Sequence, residues 1–89
     1  MKFEVELAEK ADRDLRNIFF YIAVDLSAPE NAERQINRLW DAILSLDELP
    51  ERYRRYEDEP WYSRGMRVLP IDNFVILYIP YLEEKVVRI

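Results

Sequence analysis

The 89-residue chain contains no cysteine and no histidine. Without thiols, disulfides, thiolate zinc sites and cysteine nucleophiles are excluded. Without imidazole, the usual general base, the catalytic triads and the commonest metal ligand go too. Gly65 is the single glycine, so neither a G-x-G-x-x-G turn nor a G-x-x-x-x-G-K-[ST] phosphate loop can be written. The longest apolar stretch, Ile18–Val24, falls far short of the ~20 residues of a spanning helix. The alternating, acidic start Met1–Glu6 lacks the basic and apolar regions of a secretory signal. These absences point to a cytoplasmic protein with no membrane contact and no cofactor.

What is present, 49% hydrophobic and 35% charged residues, is the composition of a folded globular chain. Residues 1–89 suffice for one domain, burying only ~60–65% of the surface the unfolded chain exposes. The net charge of -5 argues against a protein that coats nucleic acid, which needs clustered Lys and Arg. The charge is unevenly spread: residues 1–51 carry 6 basic and 12 acidic groups, whereas residues 52–89 carry 7 and 6. Arg52, Arg54, Arg55, Arg64 and Arg67 make a local basic stretch, interrupted by Glu57-Asp58-Glu59.

Phe3, Val5 and Leu7 alternate with polar residues, which predicts a half-buried strand. From Ala8 the period changes. Ala8, Ala11, Leu15, Ile18, Ile22 and Leu26 share one helical face, predicting a helix to about Leu26. Ser27-Ala28-Pro29-Glu30 reads as a capping box opening a second helix, with the stripe Ala32, Ile36, Leu39, Ile43 and Leu46 and a stop at Pro50. So short a connection makes the helices an antiparallel hairpin. After an irregular stretch, Glu51–Ser63, Met66 and Val68 begin a strand. Pro70–Asn73 joins it to a second, Phe74–Ile79, apolar on both faces and so expected to be central. Lys85–Ile89 begins a last strand. The fold class is α+β in the order β-α-α-β-β-β, an antiparallel sheet with the hairpin over one face.

Several residues invite a functional reading. Glu57-Asp58-Glu59 is a solvated loop rather than a metal site, since adjacent side chains in an extended loop diverge. Arg64 and Arg67 are candidates to grip an acidic group or phosphate. Trp61, in a loop, is either a lid over the core or a partner anchor. Ser27, Ser45 and Ser63 have no base to activate them, and Tyr78 belongs in the core. At ~100° per residue, Phe20 and Val24 lie opposite the core stripe of the first helix, which predicts an interface with another chain.

Two segments carry a family resemblance. Trp61-Tyr62-Ser63-Arg64-Gly65-Met66-Arg67-Val68-Leu69 followed by Asp72-Asn73-Phe74-Val75-Ile76-Leu77-Tyr78 is similar to the W-x-x-x-G-x-R-x-L and N-[YF]-x-[IV]-x-Y pattern of the RelE/ParE superfamily of toxins. Phe3–Leu7 running into an amphipathic helix, Pro29-Glu30 with Ala32-Glu33-Arg34, and Leu46–Pro50 extend the resemblance over essentially the whole chain. It implies a type II toxin-antitoxin system, whose antitoxin lies against the helical hairpin and sheet edge. RelE-like members cut messenger RNA on the ribosome with an arginine in the central strand. This chain has Val75 there and no histidine. ParE-like members are described as binding DNA gyrase, and the ParE branch is favoured.

The first reading is therefore a non-enzymatic toxin with Arg64, Arg67 and Trp61 as target contacts and Phe20 and Val24 meeting the antitoxin or a second copy in a homodimer. The alternatives are a ribosome-dependent ribonuclease and a relative that retains only antitoxin binding. Val86–Ile89 is strongly β-forming and ends without a polar cap. The resembling family continues there into a basic tail, so a longer natural chain is expected.

Overall fold

The computed structural model describes residues 2–89. Its elements are β1 (Glu4–Glu6), α1 (Glu9–Phe20), α2 (Pro29–Leu44), β2 (Arg67–Ile71), β3 (Phe74–Tyr81) and β4 (Val86–Arg88), an α+β arrangement in the expected order. The four strands form one sheet ordered β1-β4-β3-β2. Two of its three pairings are antiparallel. β1 pairs with β4 in parallel, Val5 opposite Val87, so the sheet is mixed. The helical hairpin separates β1 from the other strands and allows this long-range crossover.

The first helical stretch ends in a π-helical turn, Tyr21–Asp25. The extra residue per turn rotates the tail of the stripe, and Leu26 stands 55% exposed instead of joining the core. The expected capping box does not form. Ser27 adopts a left-handed φ of 51°, ending the first helical stretch as a glycine commonly does. Ala28 is the N-cap of α2, with no side-chain bond. Pro29 then occupies the first turn, where its missing N–H costs nothing.

The α2 stripe packs as its spacing dictates: Ala32, Leu39 and Ile43 are buried, and Leu46 follows in a 3₁₀ turn. Opposite them, Leu69, Ile76, Tyr78 and Val87 complete the core. Full burial of a side chain the size of Leu46 contributes ~1.5–3 kcal/mol. β3 lies inside the sheet, but only Phe74, Ile76 and Tyr78 turn inward. Val75 and Leu77 are exposed, so β3 is not covered on both faces: the single helical layer leaves its outer side open. Asp72 and Asn73 alone make the β2–β3 turn, and Pro70 and Ile71 are strand residues. Pro70 sits opposite Val75 in a pair whose N–H groups point away from one another, where proline breaks no ladder bond.

Candidate partner-binding site

α1 is amphipathic yet has no buried residue. Its apolar face, including Ala11, Leu15 and Ile18, meets β3 across an open groove of about 890 Å³. Leu39 and Ile43 reach its floor from α2, and Tyr56 and Trp61 line it as well. The groove borders an interrupted sheet edge. The two-residue turn makes Ile71 and Phe74 a hydrogen-bonded pair, so by alternation Ile76 and Tyr78 also direct their backbone groups to β2. Val75, Leu77 and Ile79 direct theirs the other way. Ile79 meets Arg88 of β4, the last pairing in that ladder. The N–H and C=O groups of Val75 and Leu77 therefore face the groove side without a strand beside them.

A second apolar surface lies on the outward side of the helical hairpin. Phe20 is 60% and Val24 65% exposed, with Tyr21 and Leu26 exposed alongside. Phe19 buttresses Phe20 edge-on, with ring centroids 5.7 Å apart. The π-helical turn extends this apolar surface past the end of the regular helix, a feature that the hydrophobic periodicity of the sequence does not signal.

The residues between Pro50 and Arg67 hold the arginines. Arg64 is exposed and lies over the Trp61 ring, 5.1 Å from its centroid. Trp61 is part lid and part surface, lining the groove while remaining 38% exposed. Arg67 is placed differently from Arg64. Its Nη1 donates to the carbonyls of Glu51 (3.0 Å) and Tyr53 (2.7 Å), and its side chain is only 18% exposed. It fastens the preceding loop to the sheet. Arg64 and Arg67 thus share a chain segment but no contact.

No motif marks Arg55 within the basic stretch, yet it stands directly opposite Arg67 in an antiparallel bridge and lies over the Tyr62 ring at 4.1 Å. Only a non-local strand pairing brings these two arginines together, and no local spacing could reveal it. Tyr78, matching the end of the family motif, is 1% exposed and donates its hydroxyl to the Pro50 carbonyl at 2.6 Å. Burial pushes its phenol up to about 12, against a smaller lowering by Arg67 and Arg52. Among the described residues, no group of three or more acidic side chains is placed to hold a metal ion, and no helix is long and apolar enough to cross a membrane.

The sequence matches no curated protein. A solved structure described as the chromosomal ParDE TA system from P. aeruginosa contains a chain of the same fold, with a TM-score of 0.80 at 21% identity, covering 99% of this chain and 90% of that one. The family model described as ParE toxin of type II toxin-antitoxin system, parDE, matches residues 5–89. With that match spanning nearly the whole chain, the protein belongs to the ParE toxin family of type II toxin-antitoxin systems.

Proposed function

We propose that the chain is a toxin held inactive by a cognate antitoxin and that, once free, it acts by binding its target rather than by cutting RNA, with DNA gyrase as the target. The observation that carries this reading is the open groove between α1 and β3, with the unpaired backbone groups of Val75 and Leu77 on its border. An apolar helix face left without a buried residue, next to a strand edge, fits a protein segment better than a small polar substrate. Phe20 and Val24 extend the antitoxin contact around the hairpin, with a second copy of the chain as their alternative partner. Arg64 and Trp61 belong to the target side, with Arg67 fastening the loop that carries them. Membership of the ParE toxin family and the likeness in fold to a chain of a ParDE TA system support an antitoxin as a partner.

The chemistry of the tyrosine and arginine side chains also supports binding over cleavage. Attack by a 2′-hydroxyl needs a base to take its proton and a cation for the developing charge. Tyr78 is locked on a carbonyl with its phenol near 12, and the Arg67 guanidinium is engaged with backbone.

Ala11→Glu tests the groove, because it places a carboxylate in the apolar space while keeping a good helix former on α1. The variant is expected to lose capture of the antitoxin encoded beside its gene while still arresting growth when expressed alone. Capture as tight as that of the unmodified chain would remove the groove from the antitoxin interface.

A further inference from the structure

β3 runs for eight residues, yet β4 pairs with three of them, Ile79–Tyr81. Next in that register, Ile89 stands beside Tyr78 but turns its backbone to β1: its N–H donates to the Glu6 carbonyl at 2.9 Å, and its carbonyl accepts from Ala8 N–H at 3.3 Å. The two donors and two acceptors of Val75 and Leu77 follow along the same side of β3 with no partner among the described residues. Both residues line the groove, so whatever fills it must pair these groups or cover them. A helix already spends its own N–H and C=O groups along its length. Laid in the groove, it would take the row out of water without answering it, which is costly. An extended segment pairs donor with acceptor at the two-residue spacing that β3 presents. The side chains of the groove fit the same occupant. Lys10, Asp14 and Arg88 are the charged residues of its lining, and Lys10 is paired with Asp14 at 3.2 Å and Arg88 with Glu6 at 3.0 Å. Among the described residues, the groove thus offers an unpaired backbone row beside apolar side chains, and no unpaired charge.

We propose that the antitoxin enters the groove as an added β-strand, in line with β4 and beside β3 from Leu77 back to Phe74. This deepens the antitoxin reading above and rests on it. The register fixes the chemistry of the segment. Its residues opposite Leu77 and Val75 exchange backbone hydrogen bonds with them and point their side chains to the outer face of the sheet, as Leu77 and Val75 do. Its residues opposite Ile76 and Phe74 point inward, toward Ala11, Leu15 and Ile18 of α1. The segment is therefore extended and alternating, with apolar, uncharged side chains at the two inward positions.

The experiment is NMR on the complex of the full chain with the antitoxin encoded beside its gene, each partner labelled separately. Scalar couplings across hydrogen bonds are expected from the Val75 and Leu77 amides to antitoxin carbonyls. Leu77→Pro is the companion variant. It deletes the N–H that faces the groove, and because Leu77 opposes Val68 in a non-hydrogen-bonded pair, it breaks no bond to β2. Antitoxin affinity is expected to fall about tenfold or more, whereas Leu77→Ala, which keeps the N–H, should stay within about threefold of the parent. Should Leu77→Pro not fold, the couplings in the unmodified complex carry the test. Equal binding by the two folded variants, or couplings absent from a complex that Ala11→Glu still disrupts, would overturn the strand and leave the groove as the antitoxin's site. Couplings to a second copy of this chain would overturn the antitoxin as the strand's source. Binding indifferent to Ala11→Glu would instead remove the groove reading, and the strand with it.

Discussion

Arg38 on α2 grips Asp72 in the β2–β3 turn with two parallel bonds, Nε to Oδ2 at 2.8 Å and Nη2 to Oδ1 at 2.9 Å. Gln35 donates to the same carboxylate at 2.9 Å. The cluster ties the helical layer to the hairpin of the sheet. Asp72 also sits at φ 55°, a conformation that Asp and Asn tolerate better than most residues. The hydrogen bond from Arg38, then that from Gln35, holds the Asp72 carboxyl below its ordinary range. Because its folded-state pKa is depressed, Asp72 contributes stability above the usual carboxylate pKa of ~3.9, and loses it as pH falls through the folded value. Asp72→Asn keeps the turn residue and removes the charge. Denaturation midpoints should separate the two proteins at pH 7 and converge in acid; an unchanged gap at low pH would contradict the ion-pair account.

Tyr78→Phe removes the hydroxyl that serves the Pro50 carbonyl in a fully buried setting. A loss of ~1–2 kcal/mol is expected in chemical denaturation. The phenol adds an alkaline effect of opposite sign to that of Asp72. With its folded value raised to about 12, the stability held by the neutral form is intact below the unfolded pKa of ~10 and drains away as pH rises from there through 12. Tyr78→Phe should lack this part of the alkaline decline.

Arg67→Met is expected to destabilise by ~2–4 kcal/mol, since it leaves two carbonyls without their charged donor. Arg64→Met, at an exposed position over Trp61, should stay within ~0.5 kcal/mol. Equal effects would mean that the two arginines are not divided between fastening and surface roles.

Much of this architecture is legible in the residues. Ala32, Leu39, Ile43 and Leu46 pack where their spacing puts them, and Phe20 and Val24 stand exposed opposite the stripe of α1. Those assignments rest on local periodicity, which a helix expresses directly. What escapes is non-local. The parallel match of Val5 with Val87 and the bridge between Arg55 and Arg67 join segments that no short window contains. The π-helical turn is a register change that a fixed period of 3.6 cannot represent, and it displaces Leu26 and makes Ser27 a helix terminator. The groove is a gap between α1 and β3, and a gap leaves no pattern of its own.

Leu49 is a site of local strain: it is 75% exposed with φ 47°, a left-handed backbone that costs a branched residue ~1–2 kcal/mol. Leu49→Asn should raise the melting temperature by a few degrees, equivalent to ~0.5–1 kcal/mol. A lower melting temperature would show that the leucine makes a contact outweighing its backbone.

Phe20→Ser should leave thermal stability within ~0.5 kcal/mol of the parent while weakening association with the antitoxin or with a second copy. Analytical ultracentrifugation alongside thermal unfolding separates the two effects. A collapse of stability with unchanged association would place Phe20 in the core.

Binding and cleavage by this member of the ParE family are told apart by adding the purified chain in parallel to a DNA gyrase supercoiling reaction and to programmed ribosomes carrying messenger RNA. Supercoiling should be inhibited and the message left intact. Codon-specific cuts that disappear in a folded Arg67 variant, with supercoiling untouched, would make the protein a ribonuclease instead.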